Sequence, residues 1–340
     1  MRPAGEPPQI IAHRGASGDR PEHTLASYAL AIAQGADFIE PDLVLTRDGV
    51  LIARHENEIG GTTDVAEHPE FAARRTVKRI DGQEVTGWFT EDFTYGEILC
   101  LRARERIPQI RPANRAFDGR YGIPSFEEIL SLLAAVNARR AVPVGVYPET
   151  KHPSYFSALG LEHDEPLLDA LRRFGYLEPD SRTRIFLQSF ETGNLRRLRR
   201  RCALPLVQLL EHEGAPYDLV AAGIARSYRE LATPAGLREI ATYADAIGPN
   251  KLDVIPRLPN GHLGAPASLA ADAHAAGLEV HPWTFRAENA FLPSDLRSSA
   301  RDDERGDLAA ELRAYAEAGV DAVFTDQPEA ARRAWHRAAP

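Results

Sequence analysis

The sequence predicts an α/β protein built as one TIM-type (β/α)8 barrel, and three observations support this fold class. Strand-like and helix-like segments alternate along the chain, and they can be counted as eight strands, each followed by a helix. Polar residues recur where these strands end, which is the functional face of a parallel barrel. The alternation shows no glycine fingerprint of a dinucleotide-binding sheet. A chain of 340 residues with 44% hydrophobic content fits one barrel of ~250 residues plus insertions, although two domains are compatible with this length.

The first predicted strand runs from Gln9 to His13. Its apolar residues end in the pair His13-Arg14 and then in a glycine-containing loop, so this pair lies at the carboxyl end of the strand. A helix is predicted over residues 22–34, because apolar side chains recur there at helical spacing and Gly35 closes the segment.

The second predicted strand covers residues 38–45 and returns as a hairpin. Side chains alternate between the faces of a strand, so Glu40 and Asp42 point the same way. If the turn centres near Asp48, residue 54 or 55 of the returning strand lies opposite residue 42. This register places His55 beside Asp42.

Residues 56–120 interrupt the alternation with glycines, threonines, a charged middle and several prolines. Structureless segments longer than ~15 residues are usually functional loops or misassigned elements. We interpret residues 56–120 as an insertion over one end of the barrel, within a single domain that spans residues 1–340.

The alternation resumes at Ser125, which forms a capping-box pattern with Glu128 and starts a helix that continues to about residue 137. The remaining predicted strands cover residues 142–149, 184–189, 204–210, 244–248, 278–285 and 320–325. The remaining predicted helices cover residues 165–174, 191–200, 234–243, 265–276 and 307–318, with a last helix from residue 328.

Composition excludes some classes of function. A net charge of -9 argues against a nucleic-acid partner, and the arginine-rich stretch 196–201 is interpreted as a solvated helix. The two cysteines, Cys100 and Cys202, allow at most one disulfide. No apolar run approaches the ~18 residues of a membrane span, and residues 1–9 lack the features of a signal peptide. The chain as written is therefore expected to be soluble and cytoplasmic, without stable membrane insertion. A trimmed form of an exported or periplasmic protein would look the same.

Acids and bases collect at the predicted strand ends. Glu40, Asp42 and Glu149 would converge there as a set of oxygen ligands, which suits Ca2+ or Mg2+ and offers Zn2+ or copper no soft ligand. Arg14 and Lys151 add positive charge beside them. A divalent cation with two basic side chains makes a receptacle for a phosphate.

The chain contains histidine-arginine-glycine, then two acids two residues apart, then a histidine after a hairpin. Seven sequence segments, in order along the chain, make up a wider pattern. They are AHRGASG, PEHTLASY, QGADFIEPDLVLTRDG, YPETKHP, QSFE, YADAIGP and VHPWTFR. This pattern, from about residue 10 to residue 328, resembles the glycerophosphodiester phosphodiesterases, whose fold is a TIM barrel. It is most similar to their longer, calcium-dependent bacterial form.

The resemblance implies a role for each of seven residues. The metal ligands would be Glu40, Asp42 and Glu149, the acid/base pair His13 and His55, and the groups that hold the phosphoryl oxygens Arg14 and Lys151. The chain departs from the family in one position: Glu56 follows the second histidine, where the family usually has aspartate.

The expected function is therefore metal-dependent hydrolysis of small glycerophosphodiesters, such as glycerophosphocholine or glycerophosphoethanolamine, to glycerol 3-phosphate and an alcohol. The expected cofactor is one divalent cation, Ca2+ rather than Mg2+. One alternative is a related barrel phospholipase of the C or D type that acts on lysolipids. Another is a barrel that binds phosphodiesters without catalysis, which would require the loss of a histidine or an acid. The alcohol, the oligomeric state, the role of each histidine and the nucleophile, water or a substrate hydroxyl, stay open.

Several further polar residues receive structural interpretations. Gln188 and Trp283 lie at strand ends and are expected to line the substrate pocket, and His281 is expected to pack inside the barrel. Asp326 is interpreted as a helix cap and His23 as a residue of the first turn of a helix. The histidines expected at the surface are His152, His163 and His212.

Overall fold

The centre of the molecule is a closed ring of parallel strands. The structure, a computed structural model, describes residues 6–336. The ring can be followed from the first strand, whose residues Ile10, Ile11 and Ala12 are completely buried because both faces of a barrel strand are covered. Within the described residues the strands are β1 Gln9–His13, β2 Phe38–Glu40, β3 Asp42–Leu45, β4 Leu51–Ala53, β5 Thr76–Ile80, β6 Gln83–Gly87, β7 Gly145–Val146, β8 Glu149–Thr150, β9 Leu187–Ser189, β10 Leu206–Leu210, β11 Ala246–Pro249, β12 Glu279–Val280 and β13 Ala322–Thr325.

Strand pairing closes the ring and confirms the predicted barrel. β1 pairs in parallel with β2 on one side and with β13 on the other. From β2 and β3 the parallel pairing continues through β7 and β8 to β9, β10, β11 and β12. A parallel bridge between Phe285 and Thr325 joins the segment that follows β12 to β13, which closes the ring. Two predicted strands are each split in the structure, at Pro41 and at Pro148, because proline has no N–H to donate to a ladder.

Helices surround the ring. Most of the predicted ones match to within two residues, and those that begin at Leu25, Pro234 and Leu269 are about one turn shorter than predicted. Within the described residues they are α1 Leu25–Ala33, α2 Tyr95–Ile98, α3 Phe126–Asn137, α4 Pro153–Ala158, α5 Asp164–Arg173, α6 Thr192–Arg199, α7 Tyr217–Ala221, α8 Tyr228–Leu231, α9 Pro234–Ile240, α10 Lys251–Val254, α11 Leu269–Ala275, α12 Leu308–Glu317 and α13 Pro328–His336. None of these helices is both long and apolar enough to cross a membrane.

Two layers of apolar side chains hold the fold. One layer fills the space between the ring and the helices. The other fills the interior of the ring and includes Phe38 and Tyr147, whose rings meet edge to face. Gly145 is needed beside Phe38, because a Cβ atom there would lie 2.3 Å from the phenylalanine ring. The ring is therefore a packed core with a functional rim.

The segment between β4 and α3 contains more regular structure than the sequence suggested. β5 and β6 form an antiparallel hairpin, and four short 3-10 helices precede or follow it at Val65–Glu67, Pro69–Arg74, Thr90–Asp92 and Pro112–Phe117. The hairpin was not predicted because its strands are largely exposed on both faces and carry little apolar alternation.

Candidate active site

Three buried carboxylates lie together at the rim of the ring. Register places Asp42 directly beside Glu149 and Glu40 directly beside His13. One oxygen atom from each of Glu40, Asp42 and Glu149 lies within 4.8 Å of the others, and all three residues are at most 6% exposed. The structure thus brings together the three acids that the alternation along two strands predicts.

The electrostatics of this cluster call for a cation. Burial and the neighbouring acids Asp42 and Glu149 raise the pKa of Glu40 well above its usual range. Burial raises the pKa of Glu149 to about 8, although the nearby Lys151 ammonium opposes this shift. For Asp42, burial is outweighed by Lys151 and by a hydrogen bond from His23, so its pKa lies well below the usual range. A divalent cation would allow all three carboxylates to be ionised at neutral pH.

Neighbouring donors fix the orientation of the carboxylates. The backbone N–H of Arg14 donates to Glu40 Oε2 at 2.8 Å, and Gln188 Nε2 donates to Glu40 Oε1 at 3.1 Å. His23 Nε2 donates to Asp42 Oδ2 at 2.9 Å. Gln188 Oε1 is buried and has no hydrogen-bond partner among residues 6–336. An unpartnered amide oxygen beside three carboxylates fits a site for a cation that prefers oxygen ligands.

His13, at the end of β1, is held by a carboxylate from the other end of the chain. Its Nδ1 lies 2.7 Å from Asp326 Oδ1, and Asp326 is 2% exposed. Burial would raise the pKa of Asp326, but Arg286 and Arg111 hold this pKa well below its usual range. Asp326 is therefore ionised and His13 Nδ1 must be the donor, which leaves Nε2 as the free ring nitrogen. Burial and Arg14 lower the pKa of His13 to about 4.

His55 follows β4 and has a similar arrangement. Leu43 pairs with Ala53, so Arg54, and not His55, stands directly opposite Asp42; of the two registers that the hairpin prediction allowed, the structure has the one with residue 54. His55 Nδ1 lies 2.5 Å from Glu56 Oε1, and its Nε2 lies 3.3 Å from Lys151 Nζ. Burial together with the cations Arg14 and Lys151 lowers the pKa of His55 to about 3.

Arg14 and Lys151 bring positive charge to the same rim. Lys151 Nζ lies 2.8 Å from Glu149 Oε1, and Arg14 Nε lies 3.4 Å from Asp42 Oδ2. Both side chains are less than a tenth exposed. Their placement beside the three acids would let them reach oxygens of a ligand bound there.

Six of these groups line one cavity of about 650 Å³: His13, Arg14, Glu40, His55, Glu149 and Lys151. Gln188 and Trp283, which the sequence places at strand ends, also lie in its wall, and Trp283 Nε1 donates to Gly248 O at 2.8 Å. The cavity continues past the carboxylates towards Phe291 and Leu292. Its volume is sufficient for a small organic ligand.

A sequence profile of the glycerophosphoryl diester phosphodiesterase family matches residues 13–330. The chain belongs to this family. It is therefore a hydrolase of glycerophosphodiesters, as the resemblance predicted. Members of the family depend on a divalent metal ion, and the three buried carboxylates are the residues in the described part of the chain that could hold one.

Curated relatives extend over most of the chain. A glycerophosphodiester phosphodiesterase of Arabidopsis thaliana, GDPD6, is 34% identical over 329 residues, which cover 94% of this chain and 83% of that protein. The enzyme of Haemophilus influenzae is 31% identical over 300 residues, which cover 82% of this chain and 78% of that protein.

Solved structures of the family show the same fold. A crystal structure of a Silicibacter pomeroyi protein superposes with a TM-score of 0.68 at 24% identity and covers 99% of this chain and 95% of that one. A phosphodiesterase of Oleispira antarctica, in complex with the product sn-glycerol-3-phosphate, superposes with a TM-score of 0.63 at 18% identity, with 96% of each chain covered.

Three interpretations of individual residues were wrong. Asp326 does not cap a helix: it binds the His13 ring and two arginines. His23 precedes α1 with a left-handed φ of 55° and is fully buried, because Thr24 is the N-cap and the His23 ring turns inward to Asp42. His163 is not at the surface: it is 1% exposed and packs edge to face against Phe156.

The other histidine interpretations agree with the structure. His281 is inside the ring, where its Nδ1 lies 2.7 Å from the Tyr147 hydroxyl. His152 and His212 are partly exposed.

Two residues of the 56–120 segment belong to the candidate active site but were not predicted from the sequence. They are Arg106 and Arg111, which bind the carboxylates Glu56 and Asp326. The chain has 40 basic residues, nearly all of them arginine. No local pattern distinguished these two from the others.

Proposed function

We propose that this enzyme hydrolyses small glycerophosphodiesters to sn-glycerol 3-phosphate and an alcohol, with Glu40, Asp42 and Glu149 as ligands of one divalent cation. The observation that carries the proposal is that two carboxylate-bound histidines line the same cavity as Glu40 and Glu149, and that these two acids form one buried cluster with Asp42. The Oleispira antarctica relative, whose complex holds sn-glycerol-3-phosphate, supports this choice of product.

The cation is proposed to be Ca2+ rather than Mg2+. The candidate ligands are all oxygen atoms, which both ions accept, and Ca2+ tolerates the less regular geometry of three carboxylates and an amide. When bound, the cation would supply positive charge that stabilises the phosphoryl oxygens as negative charge builds on them. Arg14 and Lys151 would hold those oxygens in the same place through charged hydrogen bonds.

His13 and His55 are proposed to be the acid/base pair. Each ring donates its Nδ1 proton to an ionised carboxylate, so each presents Nε2 for proton transfer. One Nε2 would take the proton of the attacking nucleophile, water or a substrate hydroxyl, and the other would give a proton to the oxygen of the leaving alcohol. Asp326 and Glu56 would stabilise whichever ring is protonated, as a carboxylate does for an imidazolium.

We also infer that residues 56–120 are an insertion within a single barrel domain. The strands on either side, β4 and β7, both belong to the main sheets, while β5 and β6 form a separate two-stranded sheet. In this proposal the insertion lies over the rim and supplies side chains to it.

The proposal is tested by product analysis on a panel of glycerophosphodiesters after dialysis against chelator. We expect no hydrolysis in chelator, recovery with Ca2+ at least as complete as with Mg2+, and release of glycerol 3-phosphate. Retention of full activity in excess chelator would contradict the assignment of the metal site.

The histidine roles are tested with His13→Ala and His55→Ala. Each should lower kcat by ~10²-fold or more, the usual contribution of a general acid or base. A p-nitrophenyl leaving group, which needs no protonation, should rescue one variant and so identify the acid. The exposed His262 lies outside the cavity wall, and His262→Ala is the matched control. A variant of His13 or His55 with the control's activity would exclude that histidine.

A further inference from the structure

Two arginines of the segment between β4 and α3 reach the two histidines through one carboxylate each. Arg106 binds Glu56, the hydrogen-bond partner of His55. Five positions later, Arg111 binds Asp326, the partner of His13. Residues from one short stretch thus support both histidines, although the histidines themselves come from different strands.

Arg106 makes a four-bond bridge between two acids. Its Nη1 and Nη2 donate to the two oxygens of Glu56 at 2.9 and 2.6 Å. Its Nε and Nη2 donate to the two oxygens of Glu22 at 2.8 and 2.6 Å. Glu22 in turn lies 3.1 Å from Arg14 Nη1. Burial would raise the pKa of Glu56, but His55 and Arg106 hold this pKa well below its usual range.

Arg111 is more deeply buried and also binds two acids. Its Nη2 donates to Asp326 Oδ2 at 2.5 Å and its Nε donates to Glu288 Oε1 at 2.6 Å. Its Nη1 donates to the backbone oxygen of Ser17, in the loop after β1, at 3.0 Å. The side chain is 7% exposed. Water can therefore replace these contacts only in part if the guanidinium is removed.

The backbone between the two arginines is itself fixed. Ile107 N–H donates to Glu105 Oε1, and Arg111 N–H donates to Ile107 O, both at 2.9 Å. Asn114 Nδ2 donates to the other oxygen of Glu105 at 2.8 Å. Arg106 holds Glu56 in one orientation, because its contact is bidentate and resists rotation. Arg111 makes one bond to Asp326, and its own position is fixed by Glu288 and by the backbone oxygen of Ser17.

We propose that Arg106 and Arg111 are positioning residues for the two halves of proton transfer, Arg106 through Glu56 to His55 and Arg111 through Asp326 to His13. This inference rests on the acid/base roles proposed above. Arg106 keeps Glu56 ionised and in place, and Arg111 does so for Asp326 together with Arg286, whose Nε donates to Asp326 Oδ2 at 2.9 Å. Each carboxylate keeps Nδ1 of its histidine as the donor. If the carboxylate could turn or take a proton, the histidine would no longer be held with its proton on Nδ1, and its ring would no longer be oriented towards the substrate.

Double-mutant cycles test the inference. Arg106→Met and Arg111→Met are each combined with His55→Ala and with His13→Ala, and kcat is measured for all variants. We expect each arginine variant alone to lose at least ~10-fold in kcat. In the matched pairs, Arg106 with His55 and Arg111 with His13, the combined loss should fall short of the product of the single losses by ~5-fold or more. In the crossed pairs, Arg106 with His13 and Arg111 with His55, the combined loss in kcat should equal the product of the single losses.

The part of the Arg106 effect that passes through Glu22 to Arg14 is measured separately with Glu22→Gln. Arg104, in the same segment, binds the exposed Glu67, and Arg104→Met is the control that should leave kcat unchanged. If a methionine variant does not fold, as judged by its thermal unfolding midpoint, the lysine variant replaces it. Lysine keeps the charge without the bidentate contact, so the same non-additivity should appear with smaller losses.

The measurements distinguish a failure of the proposed function from a failure of the role proposed for the two arginines. If His13→Ala and His55→Ala keep wild-type kcat, the proposed function fails first. If those variants are impaired but matched and crossed pairs multiply alike, the arginines support the fold and not the histidines, and this inference is overturned.

Discussion

At the scale of single residues, Lys151 shows how one side chain can serve several neighbours. Its ammonium lies 2.8 Å from Glu149 Oε1 and 3.3 Å from His55 Nε2, and the side chain is 8% exposed. A compact charge fits between a carboxylate and a ring, whereas a planar guanidinium is larger. The chain has only three lysines, at positions 78, 151 and 251, so a lysine at this position stands out against the general use of arginine.

We expect Lys151→Arg to lower kcat by at least ~10-fold, or about 1.4 kcal/mol of barrier. The larger guanidinium would not fit between Glu149 and His55, and would lose a contact that strengthens as charge builds on the phosphoryl group. Lys151→Met should lose more. Lys78 pairs with Glu91 and Asp92 in the 56–120 segment, so Lys78→Arg is the matched control. Equal kcat for arginine and lysine at position 151 would show that only the charge matters there.

His163 predicts a dependence of stability on pH. Burial lowers its pKa to about 3, although a hydrogen bond from Nε2 to Leu43 O opposes this shift, and Nδ1 has no partner among residues 6–336. An unfolded histidine takes up a proton near pH 6.5, whereas this one stays neutral in the folded state, so the free energy of unfolding falls as pH falls below 6.5. The contribution is present above pH 6.5 and is lost progressively towards pH 3.

His163→Leu removes this titration. Between pH 7 and pH 5 the variant should lose less stability than the wild type, by about 2 kcal/mol, since one pKa unit corresponds to about 1.4 kcal/mol. Urea unfolding at the two pH values measures the difference. The same fall in both proteins would mean that His163 is protonated in the folded state.

At the scale of elements, the start of α3 is determined by local chemistry. Ser125 Oγ accepts from the N–H of Glu128, and Glu128 Oε2 accepts from the N–H of Ser125, as the capping-box pattern predicted. A cap also explains where α1 begins: the helix starts at Leu25 and not at residue 22, because Thr24 caps it. In both helices the capping residue predicts the first helical residue better than the spacing of apolar side chains does.

We expect Ser125→Ala to lower the free energy of unfolding by about 1 kcal/mol, with little change in kcat, because the cap lies away from the cavity. Ser131 is exposed in the same helix and bonds only the backbone oxygen of Glu127. Ser131→Ala is therefore the control and should cost less. Urea unfolding of both variants measures the two costs, and an equal cost would contradict the role of the cap.

At the scale of the whole molecule, the three carboxylates come from separate strands of the ring. Glu40 and Asp42 come from β2 and β3, and Glu149 comes from β8, which pairs with β3. A cation that binds only the folded arrangement stabilises it by mass action, by about 2.7 kcal/mol at a free concentration of 100 times Kd.

We therefore expect Ca2+ to raise the thermal unfolding midpoint of the chelator-treated enzyme, and Asp42→Asn to abolish this rise. The rise should be larger at pH 8.5 than at pH 6, because burial raises the pKa of Glu149 to about 8 and a protonated carboxyl must lose its proton to bind the ion. Calorimetry without substrate gives this readout independently of activity. An equal rise in the Asp42→Asn variant would place the ion elsewhere.

The sequence by itself determined the order of the eight barrel strands and of the main helices between them, the closure of the chain into a barrel and the approach of Glu40, Asp42, His55 and Glu149. These follow from short-range rules: the alternation of side chains on a strand, the register of a two-strand hairpin, and the gathering of carboxyl ends at one rim of a parallel barrel. The motifs that carry the family resemblance lie on the same strand ends, so function could be predicted along with the fold.

Only the tertiary structure decided which distant groups support that rim. Asp326 binds His13 across 313 positions of the chain and Arg111 across 215, and no local pattern encodes such a pair. His23 and His163 were misplaced for the same reason, because a histidine turned inward has the same sequence neighbours as one turned to solvent. Long-range partners depend on how loops fold over the barrel. Arg111 reaches the partner of His13 only because β13, which Asp326 follows, pairs with β1.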